Sequence, residues 1–371
     1  MPHNRIPTSS QQHTHEVSEE EITLKNLAKE VYVHFTLVID YISYGINYLI
    51  SLMLKNFFGN PEPSLVHNAT PTFHPAVLIT GASVGVGRDV AITLARKGYT
   101  VFAAVNKSSD FDSLLQQFRD HNKNENNGTL RCIVLDMTDR KAMQKTYHTI
   151  RHDIRNMPFA GLINAATTII YLPLEVASDL AIRDCFETNL FGVIHLTKLF
   201  LPLLKESRGR VINVGSISSL CSTSSMAIYA ASKAALKALT RTWRQEVRSL
   251  GINMMLIEPG IIDTQYTQKV HRDFQEFKGF SISSPYHEEN VNPKTLETYE
   301  EQFTIVGKLF DEVVDAANPP GIVTDAIIHA LTSRFPKTTY YVGMDSKFLA
   351  FMNWVLGEHI SEAIQEKIFG F

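Results

Sequence analysis

This chain has few cysteines, although its fourteen histidines are more than usual. It holds three cysteines in 371 residues, Cys132, Cys185 and Cys221, with no close spacing among them. Neither a disulfide framework nor a zinc site is implied, no metal is expected, and a reducing compartment is the natural reading. An excess of charge is missing as well. The 35 Lys and Arg stand against 38 Asp and Glu, a formal net charge of -3, so no nucleic-acid partner is expected. No internal repeat or low-complexity tract is visible. No cleavable signal peptide can be made out, and the acidic run Glu19-Glu20-Glu21 argues against a mitochondrial presequence. What remains is an ordinary globular composition, 44% hydrophobic and 20% charged, which suits one large α/β domain with extensions.

Apolar strands alternate with helical segments from residue 76 onward. Strands are expected at Ala76–Thr80, Thr100–Val105, Leu130–Leu135, Gly161–Asn164, Arg210–Val214 and Asn253–Ile257. Helices are expected at Arg88–Lys97, Phe111–His121, Ala181–Lys205 and Tyr229–Leu250, with a turn at Asn126-Asn127-Gly128. This order implies an α/β fold, a doubly wound parallel sheet of Rossmann type, with ligands beyond the carboxyl ends of the strands.

Two local patterns carry chemistry. The run Tyr229-Ala230-Ala231-Ser232-Lys233 puts a phenol and an ammonium on one helix face. A free tyrosine, with a pKa of about 10, is a poor proton carrier near neutral pH. A nearby lysine cation favours the phenolate and brings it toward the working range. Ser216, at a strand end, supplies a hydroxyl to hold a substrate oxygen beside that phenol. Upstream, Gly81-Ala82-Ser83-Val84-Gly85-Val86-Gly87 joins a strand to a helix. Such a turn lets the backbone approach a pyrophosphate and aims helix N–H groups at its oxygens. The spacing is Gly-x-x-x-Gly-x-Gly, not the Gly-x-Gly-x-x-Gly dinucleotide fingerprint.

Together, Thr80-Gly81-x-x-x-Gly85-x-Gly87, Asn189, Ser216, Tyr229-x-x-x-Lys233 and Pro259-Gly260-Ile261-Ile262-Asp263-Thr264 resemble the short-chain dehydrogenase/reductase family over about residues 74–345. The resemblance implies that Tyr229 is the general acid/base and that Lys233 lowers its pKa and binds the nicotinamide ribose. It further implies that Ser216 orients the substrate oxygen and that Asn189 holds a water in a proton relay. Cofactor contacts are implied for Thr80, Gly81, Ser83, Gly85, Val86, Gly87, Asn106, Asp136, Asn164, Tyr229, Lys233, Pro259, Gly260 and Thr264. Asp136 matches a family aspartate that bonds the adenine amino group, and a helix N-cap is its alternative. At the end of the second strand, NAD users of the family carry an acid and NADP users a base. Val105-Asn106-Lys107 has no acid and a late lysine, which leans to NADP and leaves NAD open.

The chain departs from the family where Asn-Asn-Ala-Gly is usual and Asn164-Ala165-Ala166-Thr167 stands instead. Threonine adds bulk and a β-branch where glycine allows close approach to the cofactor. Weaker cofactor binding or a shifted nicotinamide is the expected consequence.

The C-terminal third, with Ile327–Pro336 followed by Tyr340-Tyr341-Val342-Gly343-Met344-Asp345, resembles the retinol, 17β-hydroxysteroid and 3-hydroxybutyrate dehydrogenase branch. There a helix precedes the last strand, and residues 265–319 match the substrate lid. That segment carries Phe274, Phe277, Phe280, Tyr286, Tyr299 and Phe303. The implied activity is NAD(P)-dependent interconversion of a secondary or allylic alcohol and its carbonyl on an apolar, steroid- or retinoid-like skeleton. No clustered Arg or Lys marks a carboxylate clamp. A non-catalytic scaffold of the same fold, or a lipid-binding module, is the rival. The resemblance also implies a homo-oligomer.

Residues 1–30 form a polar tail expected to be disordered. Over 31–58, Phe35, Val38, Ile42, Ile46, Leu49, Met53 and Phe57 fall on one helix face, opposite Asp40, Ser43, Asn47, Ser51 and Lys55. This amphipathic extension suits a membrane surface, or docking on the core or a second subunit. A membrane-associated protein, at the endoplasmic reticulum, is the expectation, with a cytoplasmic one as the alternative. Residues 59–73 read as a linker and 346–371 as a C-terminal helical extension.

Overall fold

The computed structural model describes residues 74–120, 128–155, 157–276, 292–315 and 317–369. The tail, the amphipathic segment 31–58 and the linker expected from the sequence lie outside the described residues, as do Asn126 and Asn127 of the expected turn.

Seven strands form one parallel sheet in the order β3-β2-β1-β4-β5-β6-β7. They are β1 (Ala76–Ile79), β2 (Thr100–Val105), β3 (Thr129–Val134), β4 (Phe159–Asn164), β5 (Arg210–Val214), β6 (Asn253–Pro259) and β7 (Thr339–Val342). The strands β1, β2 and β4 are buried along their whole length, which is why they read as unbroken apolar runs. Edge strand β3 is partly exposed instead, with only Leu130 buried.

Alternate strand residues feed two cores. Val77, Ile79, Val101, Ala103 and Ile163 pack with Val90, Ala91 and Leu94 of α1 (Gly85–Arg96) and Val323, Ile327 and Leu331 of α9 (Gly321–Thr332). Leucine 114 of α2 (Asp110–Asp120) joins that layer. On the other face Leu78, Phe102 and Leu162 meet α3 (Arg140–Ile154), α5 (Gly192–Ser207) and α6 (Ala227–Arg248). Each large buried apolar side chain contributes about 1.5–3 kcal/mol of transfer free energy. This is the doubly wound arrangement. The chain reverses direction across the sheet between β3 and β4, so the carboxyl ends of the neighbours β1 and β4 open a crevice.

Several element bounds differ by a residue or two from the sequence reading, and three differences are larger. Helix α1 starts at Gly85 rather than Arg88; its first turn, Gly85-Val86-Gly87, has poor helix propensity and so carries little helical signal in the sequence. Helix α3 was not foreseen; Asp139 caps it by accepting from the N–H groups of Lys141 and Ala142. The expected continuous helix over 181–205 is interrupted. Helix α4 (Asp179–Phe186) gives way to a π-turn over Glu187–Phe191 before α5 begins. Such insertions widen the ladder locally and occur often at functional sites.

The segment 265–319 supplies α7 (Gln265–Glu276) and α8 (Pro293–Asp315); residues 277–291 lie outside the described residues, among them Phe277, Phe280 and Tyr286. The last helix, α10 (Met344–Phe369), starts before the expected extension and is broken at Gly357. Among the described residues no helix is long and apolar enough to cross a membrane.

Candidate active site

A cleft of about 480 Å³ opens at the carboxyl ends of the strands. One end is the glycine turn. Gly81 and Gly85 take φ of +71° and +62°, which other residues adopt only under strain. A Cβ on Gly81 would come within 2.7 Å of the Ala166 backbone, so the turn after β1 rests directly on the loop after β4. Gly87 is packed against the Gly81 carbonyl with no room for a side chain. Val84 precedes α1 and offers no capping side chain, so the first-turn N–H groups are suited to an anion. Gly81, Ser83, Gly85, Val86 and Gly87 all line the cleft. This cradle fits a pyrophosphate.

Asn106 and Asp136 line it too. Asp136 accepts from the Thr138 N–H and hydroxyl, both at 2.8 Å. The helix N-cap alternative for Asp136 is thereby corrected, since Asp139 caps α3. Pro259, Gly260 and Thr264 form the far wall after β6. Asp345, at the start of α10, accepts from the Ile261 N–H (2.6 Å) and from the Asn318 amide (2.9 Å). Its carboxylate occupies the space a Gly260 side chain would need. The sequence reading missed Asp345 as a member of this wall.

Tyr229 and Lys233 sit one turn apart on α6, both buried. The Lys233 ammonium donates to the Val214 carbonyl at 2.9 Å and lies 5.7 Å from the centre of the Tyr229 ring. Burial pulls Lys233 down to about 8. Burial also pushes Tyr229 above its ordinary value, while hydrogen bonds with Ser216 and Thr167 draw it down. Ser216 is set by its own loop, accepting from the Ser218 N–H at 3.2 Å.

Three residues expected at the site stand behind the cleft rather than on its wall. Thr80 is buried, and its hydroxyl accepts from the N–H groups of Ala165 (3.0 Å) and Ala166 (3.1 Å). Asn164 is turned inward, donating to Asn213 (2.8 Å) and Thr197 (3.2 Å), and ties β4 to β5 and α5. Asn189, in the π-turn, is fully buried and spans the Thr168 peptide, accepting from its N–H and donating to its carbonyl. Thr80→Val leaves the Ala165 and Ala166 N–H groups without their acceptor. It is expected to cost about 1–3 kcal/mol in urea unfolding.

The rest of the cleft is largely apolar, with Ile169, Tyr171, Met226, Ile262, Val306 and Phe310, and hydroxyl residues such as Thr168, Ser218, Ser222 and Thr223 stand among them. Of the lid aromatics singled out in the sequence, Phe303 is buried in the lid's own cluster, and Tyr299 donates to Glu175 at 2.8 Å. The lid residues on the cleft wall include Val306 and Phe310, which the sequence reading passed over. Tyr266 joins α7 to the β4 loop, accepting from the Ile169 N–H and donating to the Thr167 carbonyl, each at 3.2 Å. Among the described residues no group of His, Cys, Asp and Glu forms a metal site, and all three cysteines are free.

Comparison with known proteins agrees with this geometry. The short chain dehydrogenase family matches residues 75–275. Human "Dehydrogenase/reductase SDR family member 9" is 30% identical over 78% of this chain and 85% of its own. Rat "Retinol dehydrogenase 16" is 29% identical over 73% and 81%. Mouse "Estradiol 17-beta-dehydrogenase 2" is 28% identical over 73% and 69%. A crystal structure of a short-chain dehydrogenase from Streptomyces avermitilis superposes with a TM-score of 0.60 at 23% identity, over 80% of this chain and 97% of that one, which shows the fold. The chain belongs to the short-chain dehydrogenase family, in its retinol and steroid branch, as an NAD(P)-dependent oxidoreductase acting on alcohols.

Proposed function

We propose that this protein interconverts a secondary or allylic alcohol and its carbonyl on a steroid- or retinoid-like skeleton, with Tyr229 as general acid/base. The observation that carries this is a buried phenol beside Lys233, sharing with Ser216 the wall of a cleft that combines a phosphate cradle with an apolar face. A nicotinamide cofactor would supply the hydride acceptor or donor. The Gly81–Gly87 turn would hold its pyrophosphate, Lys233 its ribose and Asp136 its adenine. Pro259, Gly260 and Thr264 would border the nicotinamide.

In the oxidising direction Ser216 holds the substrate oxygen, and the Tyr229 phenolate takes the hydroxyl proton. Burial alone opposes that phenolate, so the donors around it have to supply its stability. In reduction the same phenol returns the proton to the new alkoxide. Ile169, Tyr171, Val306 and Phe310 exclude water and hold an apolar skeleton. Lys107, exposed after β2 next to Asn106, favours NADP over NAD. Contact of residues 31–58 with a membrane surface, the endoplasmic reticulum being the compartment proposed, and a homo-oligomeric state belong to the same reading.

The test is turnover of the full chain with NADP+ or NAD+ on estradiol, all-trans-retinol and 3-hydroxybutyrate. Estradiol or retinol is expected to exceed 3-hydroxybutyrate at least ~10-fold in kcat/KM, since each buried methylene contributes about 0.8 kcal/mol. A preference for 3-hydroxybutyrate would overturn the apolar substrate class.

A further inference from the structure

Thr167 stands where the family pattern has a glycine, and in the structure its side chain does more than occupy space. Its hydroxyl donates to the Asn189 side-chain oxygen at 3.2 Å, and Thr167 shares the cleft wall with Tyr229, whose phenol pKa it draws down. The direction of that bond follows from Asn189 itself. The Asn189 oxygen accepts from the Thr168 N–H at 2.8 Å, and its nitrogen donates to the Thr168 carbonyl (2.9 Å) and to the Ser232 hydroxyl (3.0 Å). These bonds fix the amide orientation, so its oxygen can only accept from Thr167. While Tyr229 is a phenol, the Thr167 proton is therefore committed to Asn189, and a lone pair remains toward the phenol.

Once Tyr229 loses its proton, the balance reverses. A hydrogen bond to an ionised oxygen is roughly twice as strong as one between neutral groups. Asn189 retains the Thr168 N–H, so releasing the Thr167 proton leaves its oxygen satisfied. We infer that the Thr167 hydroxyl is a switchable donor that turns from Asn189 to Tyr229 when the phenolate forms, joining Ser216 around the charge. Thr167 keeps its own proton throughout, and only the direction of its O–H bond changes. The threonine backbone is held for this purpose: Tyr266 donates to its carbonyl, and the π-turn brings Asn189 alongside. A glycine at this position offers no such donor.

The inference rests on Tyr229 being the acid/base, and the test separates the two. Thr167→Val keeps the β-branch and the volume but removes the hydroxyl, and Thr167→Ser keeps the hydroxyl. With estradiol as probe and saturating NADP+, kcat/KM for oxidation is followed from pH 6 to 10. The serine variant is expected to retain the wild-type midpoint. The valine variant is expected to move it up by about one pH unit, with activity below the midpoint falling about tenfold and KM little changed. In parallel, carbon-13 labelling at tyrosine Cζ gives an NMR resonance assigned to Tyr229 by its loss in Tyr229→Phe. That resonance is expected to shift in Thr167→Val and not in Thr167→Ser; Thr167→Ala serves if the valine variant does not fold.

An unmoved midpoint and an unmoved resonance in Thr167→Val, with Tyr229→Phe inactive, overturn the inference and leave the acid/base assignment standing. A fully active Tyr229→Phe overturns both.

Discussion

Tyr229→Phe is expected to lower kcat by about 10³-fold while leaving NAD(P)H affinity within about threefold of wild type. The substitution removes one oxygen from a buried ring that borders the cleft. The ring still fills its place on α6, so neither the fold nor the phosphate cradle has reason to change. What is lost is the proton carrier, and a positioned general acid or base contributes roughly 10²–10⁴ in rate. Initial rates on estradiol or retinol, paired with nicotinamide fluorescence titration of the same preparation, check both halves. The combination is diagnostic: parallel loss of binding and turnover would indicate a structural role for the phenol instead.

A second large effect is expected away from the reacting atoms. Glu258, immediately before Pro259, is fully buried, and its carboxylate pairs with the Lys237 ammonium at 2.9 Å and with the Ser219 hydroxyl. Lys237 also donates to Ser219 at 3.2 Å. Lys237 lies one turn beyond Lys233 on α6, and Ser219 belongs to the short helix following Ser216. The pair thus ties β6, α6 and the Ser216 loop together beneath the cleft. Lys237→Met strands a buried carboxylate without its cation, which is expected to cost about 3–5 kcal/mol in chemical denaturation. Replacing both partners, Lys237→Met with Glu258→Leu, is expected to recover much of that loss, because the desolvation penalty disappears with the charge. If the single substitution cost less than ~1 kcal/mol, this pair would not be what fixes the loop.

The layered core was legible because a strand buried on both faces leaves a continuous apolar run, as in Thr100–Val105, whose bounds agree with the structure. Helix α3 was less visible. Its buried residues Met143, Tyr147, Ile150 and Ile154 keep helical spacing, but they lie among Lys, Gln, His and Arg that dilute the apolar signal. Its start could have been read from Asp139, an N-cap residue standing before a periodic segment. The π-turn had no sequence signal at all. Its existence depends on Asn189 bridging to the Thr168 peptide and to Ser232, contacts distant in the chain.

At the site, a glycine turn and a Tyr-x-x-x-Lys pair declare themselves by spacing, and both line the cleft. Thr80, at the head of the glycine turn, and Asn164, at the end of β4, act through the backbone and the neighbouring strand, a distinction spacing does not carry. Thr167 was read as bulk; only its position between Asn189 and Tyr229 reveals the hydroxyl as the relevant group. Asp345 closes the wall from the far end of the domain, and no local pattern links it to Gly260 and Ile261.

The measurement that bears most directly on this account is titration of the full chain with NADPH and with NADH, followed by nicotinamide fluorescence. It requires no choice of substrate and asks whether the Asn164-Ala165-Ala166-Thr167 loop accommodates the cofactor. The account predicts saturable binding, tighter for NADPH, displaced by NADP+, and weakened at least ~10-fold by Gly87→Ala, whose new methyl would meet the Gly81 carbonyl. A folded protein that binds neither nucleotide would contradict it.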